Sequence, residues 1–201
     1  KIFIVACGSA YHVGMVGKYI IEKMCRIPVE VQVASEFRYC DPIVGSKDLV
    51  IVISQSGETA DTLAALKEAK SHGARILSIV NVVGSAIANA SDDVIYTWAG
   101  PEIAVATTKA YSTQLAVMYL ISIYMADKLG MVTSGEYARF INDIESLPEK
   151  VSQILKDKQK IQYLASLFYN SKSIFFIGRN LDYAVSLEGS LKLKEISYIH
   201  S

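Results

Sequence analysis

Leu49-Val50-Ile51-Val52-Ile53, followed at once by Ser54-Gln55-Ser56-Gly57-Glu58-Thr59, is the stretch on which the fold and the chemistry both turn. Its first five residues form an unbroken apolar run of strand length, as a strand buried on both faces of a sheet requires. Behind the turn, Leu63, Ala64, Leu66 and Ala69 fall on a helical pattern. A buried strand thus ends in a hydroxyl-rich turn that opens a helix. The first backbone N–H groups of a helix have no partner within it, and the helix dipole favours negative charge there. Gly57 permits close backbone approach, and Ser54, Ser56 and Thr59 add neutral donors. Such a turn suits an anion, above all a phosphate monoester. It has neither the Gly-x-x-x-x-Gly-Lys-Ser/Thr spacing of a nucleoside triphosphate loop nor the Gly-x-Gly-x-x-Gly spacing of a dinucleotide site. A small, singly phosphorylated metabolite therefore fits better than a polyphosphate. Glu58 would repel such an anion if turned inward and is expected to face away. The competing explanation is plain N-capping, for which Ser and Thr are common.

Outward from this unit the same grammar repeats. Strand-like runs occur at Ile2–Ala6, Val29–Val33, Leu49–Ile53, Arg75–Val80 and Asp93–Thr97, with helical patterns between most of them, notably Tyr11–Met24 and Thr59–His72. This alternation predicts an α/β fold of three layers, a five-stranded parallel sheet between helices. Val82–Ser91 is too short and small-residued to predict a helix. A long helix is predicted from Thr107 to Leu129, then one over Ser134–Glu145. A third starts at Pro148 and passes through a solvated junction at Lys156-Asp157-Lys158-Gln159-Lys160 into a fourth ending near Tyr169.

Then the pattern restarts. Ser173-Ile174-Phe175-Phe176-Ile177-Gly178 has the shape of Lys1–Gly8, a strand followed by glycine and a polar turn, with a helix over Asp182–His200. The boundary between two units falls near Lys172. On the last helix Glu188, Lys192 and Glu195 are spaced four and three apart and share one face. Such a trio is an ordinary surface pairing, or else a lysine holding a carboxylate that moves a proton next to a carbonyl. Nothing within the helix decides between these.

Composition narrows the function classes. The length of 201 residues permits one full domain and the beginning of another, and 51% hydrophobic residues suffice for a sizeable core. Formal charge balances to zero without a basic stripe, which argues against nucleic acid as a partner. The odd count of three cysteines, without metal-ligand spacing, suggests reduced thiols in the cytoplasm. The longest apolar stretch, Leu115–Ala126, falls short of the ~20 residues that span a bilayer, so no membrane is expected as a partner. No secretory leader is visible, and the abrupt opening on Lys1-Ile2-Phe3-Ile4-Val5 reads as a cut inside a longer protein. His12, His72 and His200 are scattered and lack flanking ligands, so neither a metal nor a cofactor is expected; His12 lies in the helix after the first strand, His72 fits a helix C-terminal cap, and His200, off the Glu195 face, is read as structural. Cys7 ends a strand with no histidine at a pairing position, which makes it a pocket-lining residue rather than a nucleophile. The Leu115–Met125 face, with Tyr119 and Tyr124, is most simply core; any exposed part of it would suit a dimer interface.

Four motifs, in order, carry a family resemblance: Cys7-Gly8-Ser9-Ala10, Ser54 through Thr62, Glu102-Ile103-Ala104-Val105-Ala106-Thr107-Thr108-Lys109, and Leu187 through His200. Together they resemble the isomerase half of the glutamine–fructose-6-phosphate transaminases, or glucosamine-6-phosphate synthases. The serine-rich loop alone would identify only the broader sugar-isomerase (SIS) superfamily. The resemblance implies two flavodoxin-like SIS domains. Residues 1–171 would form the first, with trailing helices, and 172–201 would supply the first strand and helix of a second. It implies that Ser54, Gln55, Ser56 and Thr59 bind the sugar phosphate, fructose 6-phosphate or glucosamine 6-phosphate. Cys7, Gly8, Ser9, Val105 and Thr107 would line the sugar. Glu195 would shuttle a proton between C1 and C2, with Lys192 and Glu188 beside it. A homodimer is implied, as are a glutaminase domain earlier in the full-length chain and a Schiff-base lysine and a ring-opening histidine after Ser201. Ala10 stands where the family usually has serine, which removes one hydroxyl from the sugar site. A deglycase of fructosyl-amine phosphates, or a non-catalytic sugar-phosphate-sensing SIS module, would use the same pocket.

Overall fold

The computed structural model describes all residues from Lys1 to Ser201. Five strands alternate with helices: β1 (Ile2–Ala6), α1 (Gly8–Cys25), β2 (Val29–Val33), α2 (Ala34–Phe37), β3 (Leu49–Ser54), α3 (Ala60–Ser71), β4 (Arg75–Val80), α4 (Ala86–Ala90) and β5 (Asp93–Tyr96). Helices α5 (Lys109–Lys128), α6 (Ser134–Glu145), α7 (Leu147–Leu155), α8 (Lys158–Phe168) and α9 (Leu181–Ser197) follow.

All strands pair in parallel in the order β2-β1-β3-β4-β5, the flavodoxin-like order that the resemblance implies. The apolar runs explain the layering, because successive side chains point to opposite faces. Phe3, Val5, Val50, Val52, Ile76 and Val80 face one way and pack against Ala34 and Phe37 of α2, Ala65, Leu66 and Ala69 of α3, and Ile87 of α4. Ile2, Ile4, Ala6, Ile51, Ile53 and Ile79 face the other way, onto Val13 and Ile21 of α1 and Met118 and Ala126 of α5. On α5, Leu120 and Tyr124 stay exposed while Met118, Ser122 and Ile123 are buried. No helix is long and apolar enough to cross a membrane.

Three expectations need correction. The one-turn helices α2 and α4 lie in segments where no helix was predicted; Phe37 and Ile87 are pinned into the core at 0% exposure, so tertiary packing holds turns too short to propagate alone. The predicted strand at Ser173–Gly178 is absent. A strand exists only through its ladder, and this segment makes just one isolated bridge, Ser173 to His200, leaving Phe175 and Ile177 89% exposed. The final helix ends at Ser197 rather than His200 because Tyr198 takes a left-handed φ of 58°, and its N–H caps the carbonyl of Lys194. The polar junction lies where expected, in the break between α7 and α8. Helix α9 docks on α1, with Ala184 buried against Val16 and Ile20.

Candidate functional site

In an open parallel sheet a crevice forms beyond the carboxyl ends of two strands whose connections leave to opposite faces. Here those strands are β1 and β3, which are neighbours in the sheet and feed α1 and α3 on opposite sides. The turns Cys7–Ser9 and Ser54–Thr59 therefore flank one cleft, of about 380 Å³.

The Ser54–Thr59 turn is tied together by its own hydroxyls. Ser54 Oγ accepts a hydrogen bond from Gly57 N at 3.0 Å and shares one with Thr59 Oγ1 at 2.9 Å, while Ser56 Oγ accepts from Glu58 N at 3.1 Å. Thr59 occupies the N-cap position of α3, yet its side chain makes no capping bond, so simple capping does not explain these hydroxyls. Gly57 sits at φ +66°, which a side chain would strain. Glu58 faces away, as charge repulsion demands: its Oε1 accepts from Ala86 N at 2.8 Å, at the start of α4.

The other walls come from three further segments. Cys7, Ser9 and Ala10 line the cleft; Gly8, at φ +57°, turns the chain between them into α1. Ala104, Val105 and Thr107 approach from the segment before α5, where Glu102 Oε2 accepts from Thr107 Oγ1 at 3.1 Å. Val105 is fully exposed at 100%. Lys192 and Glu195 of α9 close the rim, joined as an ion pair. Lys192 is the one cation among the lining residues.

Glu188 is not at the cleft wall but behind it, and at 6% exposure it is no surface residue. Its Oε1 accepts from Ser9 Oγ at 2.7 Å, its Oε2 meets His12 Nδ1 at 2.7 Å, and Lys192 Nζ lies 3.7 Å from Oε1. The reading of Glu188, Lys192 and Glu195 as an ordinary surface pairing is therefore set aside for Glu188. Its face of α9 meets α1 rather than solvent. The structure thus gathers Cys7, Ser9, Ser54, Gln55, Ser56, Thr59, Val105, Thr107, Lys192 and Glu195 around one cleft, with Gly8 and Glu188 directly supporting it.

Several neighbours escaped the sequence. His12, to which the sequence assigned no role, contacts the buried carboxylate; its spacing of three from Ser9 on one helix face was the available signal. Gln114 and Thr62 line the cleft, and Thr62 Oγ1 is buried without a partner. The Tyr111 hydroxyl is also buried and unpartnered; burial, and then the negative charge of Glu188, push its pKa up to about 12. No group of His, Cys, Asp and Glu side chains is placed to hold a metal ion.

A family model described as SIS domain matches residues 1–124. Along its whole length the chain is 63% identical to the glutamine–fructose-6-phosphate aminotransferase (isomerizing) of Caldanaerobacter subterraneus subsp. tengcongensis, covering 33% of that protein. It is 59% identical to the protein of the same name from Clostridium acetobutylicum, again over 100% of this chain and 33% of the relative. Among solved structures, the C-terminal domain of glucosamine-fructose-6-phosphate aminotransferase from Francisella tularensis superposes with a TM-score of 0.96 at 40% identity, covering 99% of this chain and 56% of that one. The chain spans about a third of the length of the curated relatives it matches.

Proposed function

The chain belongs to the SIS domain family, and from that premise we propose that it is the leading part of the isomerase half of a glutamine–fructose-6-phosphate aminotransferase, a cytoplasmic enzyme of hexosamine synthesis. The observation that carries this reading is the juxtaposition in one cleft of a neutral hydroxyl cradle, Ser54, Ser56 and Thr59, with an ion-paired carboxylate, Glu195. The cradle and the N-terminus of α3 hold the phosphoryl group of fructose 6-phosphate or glucosamine 6-phosphate. With Gln55 beside the phosphoryl group, Cys7, Gly8, Ser9, Val105 and Thr107 shape the space for the sugar. Glu195 is the general base that moves a proton between C1 and C2, while Lys192 and Glu188 fix its surroundings. A proton-moving group at the rim favours an enzyme over a sensing module.

On this reading ammonia released from glutamine by a glutaminase domain of the full-length chain adds to C2 of fructose 6-phosphate, and isomerisation then gives the aldose. Residues 172–201 are the opening of a second SIS unit, and the enzyme works as a homodimer. Calorimetry on the full-length protein tests the cradle. Fructose 6-phosphate should bind, unphosphorylated fructose should not compete, and Thr59→Ala should weaken binding by about ten- to a hundred-fold, the loss expected for a hydrogen bond to a charged group. Binding of free fructose as tight as that of the phosphate ester, untouched by Thr59→Ala, would refute the assignment.

A further inference from the structure

Glu188 is a carboxylate drawn out of water by the contact between α1 and α9. A buried ionic cluster of this kind is weak support for a fold, since well-packed apolar residues in its place are often no less stable. The interface also has apolar packing of its own, Ala184 against Val16 and Ile20. The cluster is therefore better explained by what it holds in place. A carboxylate offers only acceptors, so Nδ1 of His12 carries the proton it shares with Glu188 Oε2. With that oxygen fixed by the imidazole, Oε1 is left for two groups that reach the cleft: Ser9, whose hydroxyl it accepts at 2.7 Å, and Lys192, 3.7 Å away. Lys192 in turn is paired with Glu195. An unbroken chain of contacts runs from His12 through Glu188 and Lys192 to Glu195, yet His12 itself does not line the cleft.

We infer that His12 is a positioning residue. Its Nδ1–H sets the plane of the Glu188 carboxylate, and that carboxylate aims the Ser9 hydroxyl and the Lys192–Glu195 pair into the cleft from two elements far apart in sequence. This role rests on reading the cleft as the isomerase site, but its geometric content can be tested apart from turnover. In the full-length protein, His12→Ala should lower kcat for glucosamine 6-phosphate formation by about ten- to a hundred-fold, the cost of misplacing a reacting group by ~1 Å. KM for fructose 6-phosphate should rise by much less than kcat falls, because Ser9 alone among the sugar-lining groups depends on Glu188 and the phosphoryl cradle is untouched. His12→Asn, whose amide nitrogen can stand where Nδ1 stands, should recover most of the loss.

Crystal structures of the variants give the readout that does not need turnover: Lys192 Nζ and Glu195 displaced in His12→Ala and restored in His12→Asn. Wild-type kcat in His12→Ala, or Lys192 and Glu195 unmoved in its crystals, overturns the inference. If wild-type protein fails to convert fructose 6-phosphate, the assigned function falls, and the displacement alone then decides for or against His12. Should His12→Ala fail to fold because a charge is left buried, His12→Ala/Glu188→Gln removes that charge. It should fold with the same kcat loss, and wild-type kcat there overturns the role.

Discussion

Gly57→Ala should destabilise the cradle by about 2–5 kcal/mol, and the cost has two separable parts. Gly57 has φ +66°, where an L-residue costs ~1–2 kcal/mol. An added Cβ would also lie 2.5 Å from Ser85 Cβ, closer still to Ser85 Oγ, and 3.5 Å from Val80 Cγ1. Ser85 cannot easily withdraw. It is 3% exposed and directly precedes α4, which is anchored to the turn by Ile87 N donating to Gly57 O at 2.9 Å and by Ala86 N donating to Glu58 Oε1. Overpacking of this kind adds ~1–3 kcal/mol. Gly57→Ala/Ser85→Gly removes the overlap and leaves the backbone strain, so it should recover about 1–3 kcal/mol of the loss. The assay is urea-induced unfolding, with midpoint shifts converted through the common slope. A Gly57→Ala protein within ~0.5 kcal/mol of wild type would refute the reasoning, as would a double variant no more stable than the single one.

Two further outcomes are expected. Glu195→Gln in the full-length protein should lower kcat by about 10²–10⁴-fold, the usual worth of a general base, with sugar-phosphate affinity measured by calorimetry kept; normal turnover would remove Glu195 from its assigned role. At the far edge of the sheet, Asp92 is held below the ordinary carboxylate range by its hydrogen bond from Lys70 and then by that from Ile76 N. A carboxyl depressed in the folded state contributes stability that is fully present above its unfolded value of ~3.9 and is lost as pH falls through the folded one. Asp92→Asn should therefore be destabilised at neutral pH yet converge on wild type in strong acid, as unfolding midpoints at pH 7 and pH 2 would show.

The sheet was readable because its central strands, Ile2–Ala6 and the Leu49–Ile53 run, are uninterrupted apolar stretches, because Val29–Val33 alternates apolar with polar residues, and because the switch between odd and even positions needs no knowledge of partners. Val50 and Ile51 had to face opposite layers whatever those layers contained. The order of the strands came from the family resemblance, not from the runs themselves. What the sequence hid was whatever depends on distant neighbours. Ala34–Phe37 forms a helical turn because Phe37 finds Phe3 across the layer, ring centroids 6.2 Å apart. The Ser173–Gly178 run has strand composition but no ladder beside it in this chain. Glu188 reads as half of a routine helical pair until α1 is laid against it, and the partners that settle its burial, Ser9 and His12, lie more than 170 residues away.

The division of labour in the cleft follows from where charge is permitted. The one carboxylate within the Ser54–Thr59 turn, Glu58, is committed to the backbone of α4, so the turn keeps only neutral groups, its hydroxyls, the Gln55 amide and the helix N–H groups. The one cation at the rim, Lys192, is already engaged by two carboxylates, Glu188 and Glu195. A lysine so occupied is a poor phosphate ligand but a good anchor for a carboxylate that must be held in one orientation. On the proposed reading, dipoles that never titrate grip the anion, and the ionisable groups that can exchange protons stand apart on another helix. Binding and proton movement are thereby placed on separate elements, so the protonation state of Glu195 can change during a cycle without loosening the hold on the phosphoryl group.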